Sequence, residues 1–416
     1  MLPDRTEILI VGAGPTGLAL AIALRQAGID HLLIDERPRG EGTSRAAVVH
    51  AHTLEALASI GVADTLLGRG ISLSRFVVRD RDRPLLAIGF EGLPSEYKSL
   101  LMVPQSTTEA VFAERLAALG GRIVRSTRAL AAEPKGPGAR VRLQTPAGES
   151  IVDARYVVGG DGMHSLVRTA AGIGFAGEAY GQSFVLADVR MRWPLGAGEV
   201  SLFFSAAGLA VVAPLPGGSF RIVATVDEAP EAPSGAFIQQ LLDARGPTGG
   251  RCRVDEIVWS SRFRVHHRLA DTYRKGPFLL MGDAAHVHSP AGGQGMNTGI
   301  VDAVLLGRAL AQVVGEGGPD SILDDYAATR RPAAAQVLAL AGRLTGMATL
   351  RSAPLRLLRN LLLRIVNRIP AFKSRLALDL SGISRRQFAT LPTDSEQSMP
   401  AGEPGSSAEP PLPIAA

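Results

Sequence analysis

The sequence predicts an α/β protein: a parallel-sheet domain made of strand–glycine loop–helix units, a separate block of antiparallel strands, and helices toward the C-terminal end. Three observations predict it. The 416 residues are 46% hydrophobic and include 47 glycines, which fits a glycine-rich α/β protein and not a disordered or fibrous one. Several apolar runs are short enough for buried strands, end in Gly or Asp, and lead into helical periodicity. Between residues 184 and 263 the pattern changes to strand-like runs separated by turns containing Gly and Pro.

Residues 7–11 (EILIV) are the first such run, consistent with a buried parallel strand. The run meets Gly12-Ala-Gly14-Pro-Thr-Gly17 and then a helical pattern over 18–27 that Gly28 stops. A second strand over 31–34 ends at Asp35-Glu36-Arg37. The first glycine permits a tight turn, the second lets backbone reach a pyrophosphate, and the third allows close helix packing. Glu36, with Arg37 beside it, lies about 20 residues past the last glycine, where an acid can hold a ribose hydroxyl. Together these make the dinucleotide fingerprint of a Rossmann-like domain. Residues 44–49 and a helical pattern over 53–60 follow, with Arg45 readable as a buried cation or as a solvated arginine. Strand-like residues 71–90 leave this domain, Met102-Val-Pro-Gln105 returns to it, and 108–119 form a helix with an apolar stripe. Residues 123–124, 140–143 and 150–152 read as a β-meander with turns at Pro137-Gly138 and Ala147-Gly148.

Residues 156–160 (YVVGG) are a short strand that ends in Asp161-Gly162-Met-His164-Ser165-Leu-Val-Arg168. An acid at a strand tip suits a polar ligand, and Asp161 or Ser165 equally suits a plain helix cap. The antiparallel block holds strands over 184–192, 199–204, 209–213, 220–227 and 255–263, a helix over 234–244, and much of the aromatic content. Such aromatics ordinarily fill a core, although a sheet facing a cofactor domain is also where an apolar ligand is held. Residues 278–281 are another apolar run, broken by Gly282-Asp283 and followed by a loop with Pro290, Gly292, Gly293, Gln294 and Gly295. From Met296 the pattern is helical. The first turn of a helix leaves backbone N–H groups unpaired at its positive end, and bare glycines let an electron-rich ring approach them.

After the helix over 296–314 come helical residues 321–329, a break expected near Arg331-Pro332, and a long helical pattern over 333–349. Residues 354–369 space Leu355, Leu358, Leu362, Ile365 and Ile369 between arginines. A membrane-surface helix is one reading of that pattern, and a terminal helix packed on the protein with solvated arginines is the favoured one. Residues 393–416 are rich in Pro, Ser and Gly, a composition typical of disorder. The net charge of +5 is local: residues 351–375 carry seven basic residues and no acid, leaving 44 − 7 = 37 basic against 39 acidic elsewhere. A body that binds nucleic acid is therefore not expected. The single cysteine, Cys252, rules out an internal disulfide or a cysteine metal cluster and reads as inert packing. No export signal opens the chain and no stretch reaches roughly 18 uninterrupted apolar residues, so a cytoplasmic protein without stable membrane insertion is expected.

Three motifs now stand in order: GAGPTG at 12–17, DGMHSLVR at 161–168, and GDAAHVHSPAGGQGMNTGI at 282–300. Together they resemble the three signatures of the FAD-dependent aromatic hydroxylases, the single-component flavoprotein monooxygenases similar to p-hydroxybenzoate hydroxylase and the polyketide hydroxylases. The resemblance spans about residues 6–332. It implies a discontinuous FAD-binding domain (1–70, 101–180 and 265–345) and a substrate-binding β-sheet domain (71–100 and 181–264). C-terminal helices (346–392) and a tail (393–416) complete the expected division.

By the same resemblance, Gly12, Gly14 and Gly17 approach the FAD pyrophosphate, Glu36 holds the adenosine ribose, and Arg37, Arg45 and Gln105 contact FAD. Asp161 serves FAD and pyridine nucleotide, with His164 and Arg168 near the latter. Asp283 binds the ribityl chain, and Pro290 and residues 292–297, including Gly293, Gly295, Met296 and Asn297, border the flavin ring. The implied reaction consumes NAD(P)H as co-substrate and O₂, and hydroxylates an aromatic or polyketide-like small molecule through a flavin C4a-hydroperoxide. A monomer or homodimer is expected, with no metal, and His286 and His288 read as structuring their loop. The residues identify no catalytic acid or base. His52 stands where many relatives carry arginine, and neither a second dinucleotide fingerprint nor the extra C-terminal domain of the larger phenol hydroxylases is matched. The alternatives are another flavin oxidoreductase on the same scaffold, such as an epoxidase or isoprenoid reductase, or a flavin-binding protein without turnover. The WxWxIP stretch of flavin halogenases is absent, Trp193 and Trp259 being too far apart.

Overall fold

The computed structural model describes residues 2–40, 46–248, 252–350 and 352–391. At the centre of its first sheet, Arg5–Val11 pairs in parallel with His31–Ile34 on one side and Gly148–Gly159 on the other. Ile123–Val124 and Phe278–Leu280 extend the parallel core. Chain order reverses about the central strand, so a crevice opens at its carboxyl end, between Val11 and Gly159. Ile8, Leu9, Ile10, Val157 and Val158 are fully buried, as expected for strands covered on both faces. The helix Pro15–Gln26 starts with the preset φ of proline and stops before Gly28, whose φ of 73° is left-handed. It packs against Gln105–Ala118 and Gly295–Leu310.

The second sheet also has eight strands, in the spatial order His286–Val287, Arg253–Ala270, Phe175–Arg192, Phe220–Val226, Gly208–Pro214, Val200–Ser205, Arg75–Asp80 and Arg83–Gly89. Only Val200–Ser205 and Arg75–Asp80 run parallel. Ile71–Leu73 pairs instead with Leu100–Met102 and, through it, with Val48–Val49 in a small third sheet. Sequence reading placed strands at 184–192 and 255–263, yet both run 18 residues and pair from Phe175↔Ala270 to Arg192↔Arg253. Their outer ends hold Gly177, Glu178, His266 and Arg268, residues too polar or flexible to read as strand. Residues 156–160 prove to be the end of the 12-residue strand Gly148–Gly159, and the strand Arg128–Lys135, poor in β-formers, escaped notice.

The break expected at Arg331-Pro332 is not there. The helix Ile322–Ala348 runs through Pro332, because its neighbours are held on both sides. Arg330 Nε lies 2.7 Å from Asp302 Oδ1, Arg331 Nε donates to the Ala270 carbonyl at 3.0 Å, and Ala333, Ala334 and Val337 are buried. These contacts outweigh the roughly 3 kcal/mol that an internal proline costs. The favoured reading of residues 354–369 is corrected too. In the helix Ala353–Val366 the buried side chain is Arg359, while Leu358, Leu361 and Leu362 are half exposed. Arg45 and the tail at 393–416 lie outside the described residues. One helix, Gly295–Gly315, is long and apolar enough to cross a membrane by length and composition, and 72% of that window is buried inside the protein.

Candidate functional site

The three motifs meet at the carboxyl end of the first sheet. Gly12 has a φ of 101°, and a Cβ there would collide with the Gly160 carbonyl, so the first motif lies directly on the second. Thr16 fills the space that Gly282 and Gly299 leave open, which packs the first motif against the third. Arg168 donates to the Ala284 carbonyl at 2.9 Å and the Met163 carbonyl at 2.8 Å, latching the second motif to the third. Each glycine here marks a point where two backbones approach too closely for a side chain.

A cavity of about 1180 Å³ runs from this junction to the inner face of the second sheet. Gly12, Gly14, Glu36, Arg37, Gln105, Asp161, Asp283, Pro290, Gly293, Gly295 and Met296 all line it, as does His164. Two other expected residues stand just behind the wall. Gly17 packs on the carbonyl of Gly12. Asn297 accepts from the His50 backbone N–H at 2.8 Å and donates to the carbonyls of Val48 (2.9 Å) and Gly293 (2.7 Å), stitching the glycine loop to the strand Val48–Val49. Arg168 is likewise spent on backbone carbonyls and stacks over Phe175.

The helix-capping reading of the second motif also holds. Ser165 Oγ accepts from the Arg168 N–H at 3.0 Å, and Asp161 Oδ2 accepts from the Leu166 N–H at 2.8 Å. Asp161 Oδ1 has no protein partner and burial raises the carboxyl's pKa, so capping does not exhaust this residue. Along the same wall His50 Nδ1, His266 Nδ1 and His288 Nε2 are buried without partners. Buried polar atoms of this kind are normally satisfied, so the wall fits a long ligand bearing several polar groups. Burial also pulls His50 and His288 down to about 4, against weaker support from backbone hydrogen bonds, and leaves both rings neutral at physiological pH.

Several site residues were missed by sequence reading. Asp35, one position before the expected acid, accepts from the Ala13 N–H at 2.7 Å and fixes the glycine turn. Asp302 is fully buried and gathers the Gly282 N–H, His286 Nε2 and Arg330 Nε, so His286 does structure its loop. Gln294 was expected in the glycine loop, but not its role: it accepts from Arg385 and donates to the Leu380 carbonyl, both at 2.9 Å, tying that loop to the C-terminal helices. Arg221 pairs with Asp188 through two 2.7 Å contacts and donates to the Ala46 carbonyl at 2.8 Å, joining the second sheet to the first-domain loop. Its only signal in sequence is a lone charge inside an apolar strand, FRIVATV.

The far wall of the cavity is largely apolar, although Arg221, Arg264 and His266 of the second sheet also reach it. Phe76, Phe90, Phe204, Leu202, Val211 and Val223 line it, together with Phe184 and Phe263, whose rings stack with centroids 5.7 Å apart. Among the described residues every acid on the cavity (Asp35, Glu36, Asp161 and Asp283) is on the side of the first sheet.

A family described as FAD binding domain matches residues 5–341. The chain is 36% identical over 391 residues to 6-methylpretetramide 4-monooxygenase of Streptomyces rimosus, covering 90% of this chain and 70% of that protein. It is 33% identical over 346 residues to pentachlorophenol 4-monooxygenase of Sphingobium chlorophenolicum, covering 80% and 63%. Among solved structures, the OxyS anhydrotetracycline hydroxylase from Streptomyces rimosus superposes with a TM-score of 0.77 at 31% identity, covering 91% of this chain and 76% of that one.

Proposed function

The chain belongs to the FAD-binding-domain family of FAD-dependent aromatic monooxygenases, and from that membership we propose that it hydroxylates a large, neutral, polycyclic aromatic or polyketide-like compound. One observation carries the choice of substrate: a cavity of about 1180 Å³ whose sheet-side wall is mainly aromatic and aliphatic, with Arg221 held by Asp188 and the lining carboxylates confined to the other side. Pockets for single drug-sized ligands run to roughly 1,000 Å³, and this one exceeds that range. By their names, the relatives act on 6-methylpretetramide, pentachlorophenol and anhydrotetracycline.

In this reading residues 1–70, 101–180 and 265–345 form the cofactor part and 71–100 with 181–264 the substrate part, with helices to 392. Gly12 and Gly14 give the pyrophosphate close access to backbone, Glu36 takes the adenosine ribose, and Asp283 the ribityl chain. Pro290, Gly293, Gly295 and Met296 border the flavin ring. FAD, once bound, supplies the chemistry: it takes electrons from NAD(P)H and activates O₂, so that one oxygen atom enters the ring and the other leaves as water. The protein places and shields. The start of the helix Gly295–Leu310 faces the cavity with its positive end, which stabilises negative charge there. His50 and His288 remain neutral beside it and add no competing charge. The apolar sheet wall keeps water away from the reacting ring.

The test is an NAD(P)H-oxidation screen of phenols, polycyclic quinones and indoles, with product mass checked for a gain of one oxygen. Polycyclic compounds should give the largest stimulation and a coupled product. If only single-ring phenols yield oxygenated product, the substrate reading is wrong, and if no compound raises oxidation above background, a binding role without turnover is favoured.

A further inference from the structure

Nine of the eleven large apolar side chains that the described residues expose lie between Met347 and Phe372, a segment no part of the cofactor site uses for its outer face. Leu355, Leu358, Leu362, Ile365 and Ile369 follow one another at spacings of three and four, so they form one stripe along the helix Ala353–Val366 and the residues just after it. Each is about half exposed. The helix is fastened by its opposite, polar side. Arg359 donates to the Met347 carbonyl at 2.8 Å and stacks on Phe204, Asn360 donates to Asp80 Oδ2 at 3.0 Å, and Asn367 Oδ1 accepts from the Ala87 N–H at 3.0 Å. Anchoring through polar groups holds the leucines outward in water, an arrangement that costs free energy unless something covers them.

Charge selects what covers them. Residues 351–375 hold seven cations and no anion, while the remainder of the chain is nearly balanced. Arg364 and Arg368 are exposed beside the stripe. A second copy docking through the same face would bring two such segments together, cation against cation, with no carboxylate in either to offset them. An apolar stripe flanked by arginines instead matches the boundary of an anionic bilayer, where leucines enter the acyl region and guanidinium groups meet phosphates. We propose that the helix Ala353–Val366 seats this protein reversibly on an anionic lipid surface. Going beyond the hydroxylase reading, this gives the enzyme a location near apolar compounds: Leu363 of the same helix lines the cavity, as do Met347 and Phe372 of the helices before and after it, so the docking face lies close to the substrate wall.

The experiment is co-sedimentation of the full, FAD-loaded chain with vesicles of phosphatidylcholine alone or mixed with phosphatidylglycerol. Binding should appear with the anionic vesicles, weaken as salt is raised, and stay near background with the neutral ones. Arg364→Gln combined with Arg368→Gln should lower the partition coefficient about 30-fold, since each cation near such a surface strengthens binding about fivefold. Leu358→Glu with Ile365→Glu should abolish it, and neither pair touches the cavity, so bound flavin and substrate-stimulated NAD(P)H oxidation should be kept in solution. Equal sedimentation with both vesicle types, or binding unchanged in both variants, overturns the proposal. So does a wild-type dimer in solution that the leucine variant converts to monomer, because the stripe is then a contact between copies. Absence of hydroxylation in the wild-type protein and both variants alike would sink the substrate reading and leave the vesicle result standing on its own.

Discussion

Asp283 and Asp302 share one segment of chain and do opposite kinds of work. Asp283 is exposed on the cavity wall, whereas Asp302 is fully buried and faces His286 and Arg330. On the proposed assignment Asp283→Ala should purify with little flavin colour, because the lost carboxylate is exposed on the cavity wall where the cofactor would meet it. Asp302→Asn should keep what flavin it binds but unfold more easily, by about 3–5 kcal/mol, since it strands a buried arginine beside a neutral amide. Visible flavin absorbance per protein and urea unfolding separate the two, and the assignment of Asp283 is refuted by a fully flavinylated alanine variant. At this scale, sequence reading located the cavity residues well where a residue type is demanded by backbone: Gly12 and Gly293 carry positive φ, and a side chain at either would strike a neighbour. It could not separate Asp35 from Glu36, because two adjacent acids differ only in which way the chain turns them. Nor could it see that Arg221 and Asp188, 33 positions apart, form a buried pair.

Elements were legible where period and punctuation agreed. The helix Pro15–Gln26, read from sequence as 18–27, was placed to within three residues at its start and one at its end, where Gly28 stops it. They were not legible where distant contacts override local preference. Pro332 is the clearest case, since local rules end a helix there and Asp302, from another helix, keeps it going through Arg330. If that account is right, the proline is tolerated and not required. Pro332 is exposed, so Pro332→Ala should restore a backbone hydrogen bond without disturbing packing and raise stability by about 1–3 kcal/mol. A loss of stability, or of flavin retention, in thermal unfolding of this variant would show instead that Pro332 helps to position Arg330. The helix Ala353–Val366 teaches the converse. Its amphipathic pattern was plain, but pattern alone does not say which face turns inward, and here the edge strand Arg83–Gly89 holds the polar face through Asn367.

For the whole molecule, the decisive feature is that the two sheets and the C-terminal helices close around a space whose wall contains uncharged histidines. His50 sits between the glycine loop and the small third sheet, and His288 on the loop that joins the second sheet to the helix Gly295–Leu310. Both are pulled to about 4 by burial, well under the 6.5 of an unfolded histidine. The native state therefore refuses protons that the unfolded chain accepts, and stability must fall as pH drops from about 6.5 toward 4, levelling below that. Two such groups give a slope of about 2.7 kcal/mol per pH unit, or about 4 kcal/mol lost between pH 7 and pH 5. His31 and His52, also lowered by burial, push the same way. Asp161, raised by burial, pushes the other way, while Glu55, held down at about 2 by His52, Arg386 and Ser95 against the opposing pull of burial, loses its contribution only below this window. Urea unfolding at the two pH values measures the difference, and His288→Gln should lower the slope by about 1.4 kcal/mol per pH unit, the share of one histidine. A stability that is flat from pH 7 to 5, or a variant with an undiminished slope, would mean that these rings take up protons in the folded protein and that the cavity wall is open to water.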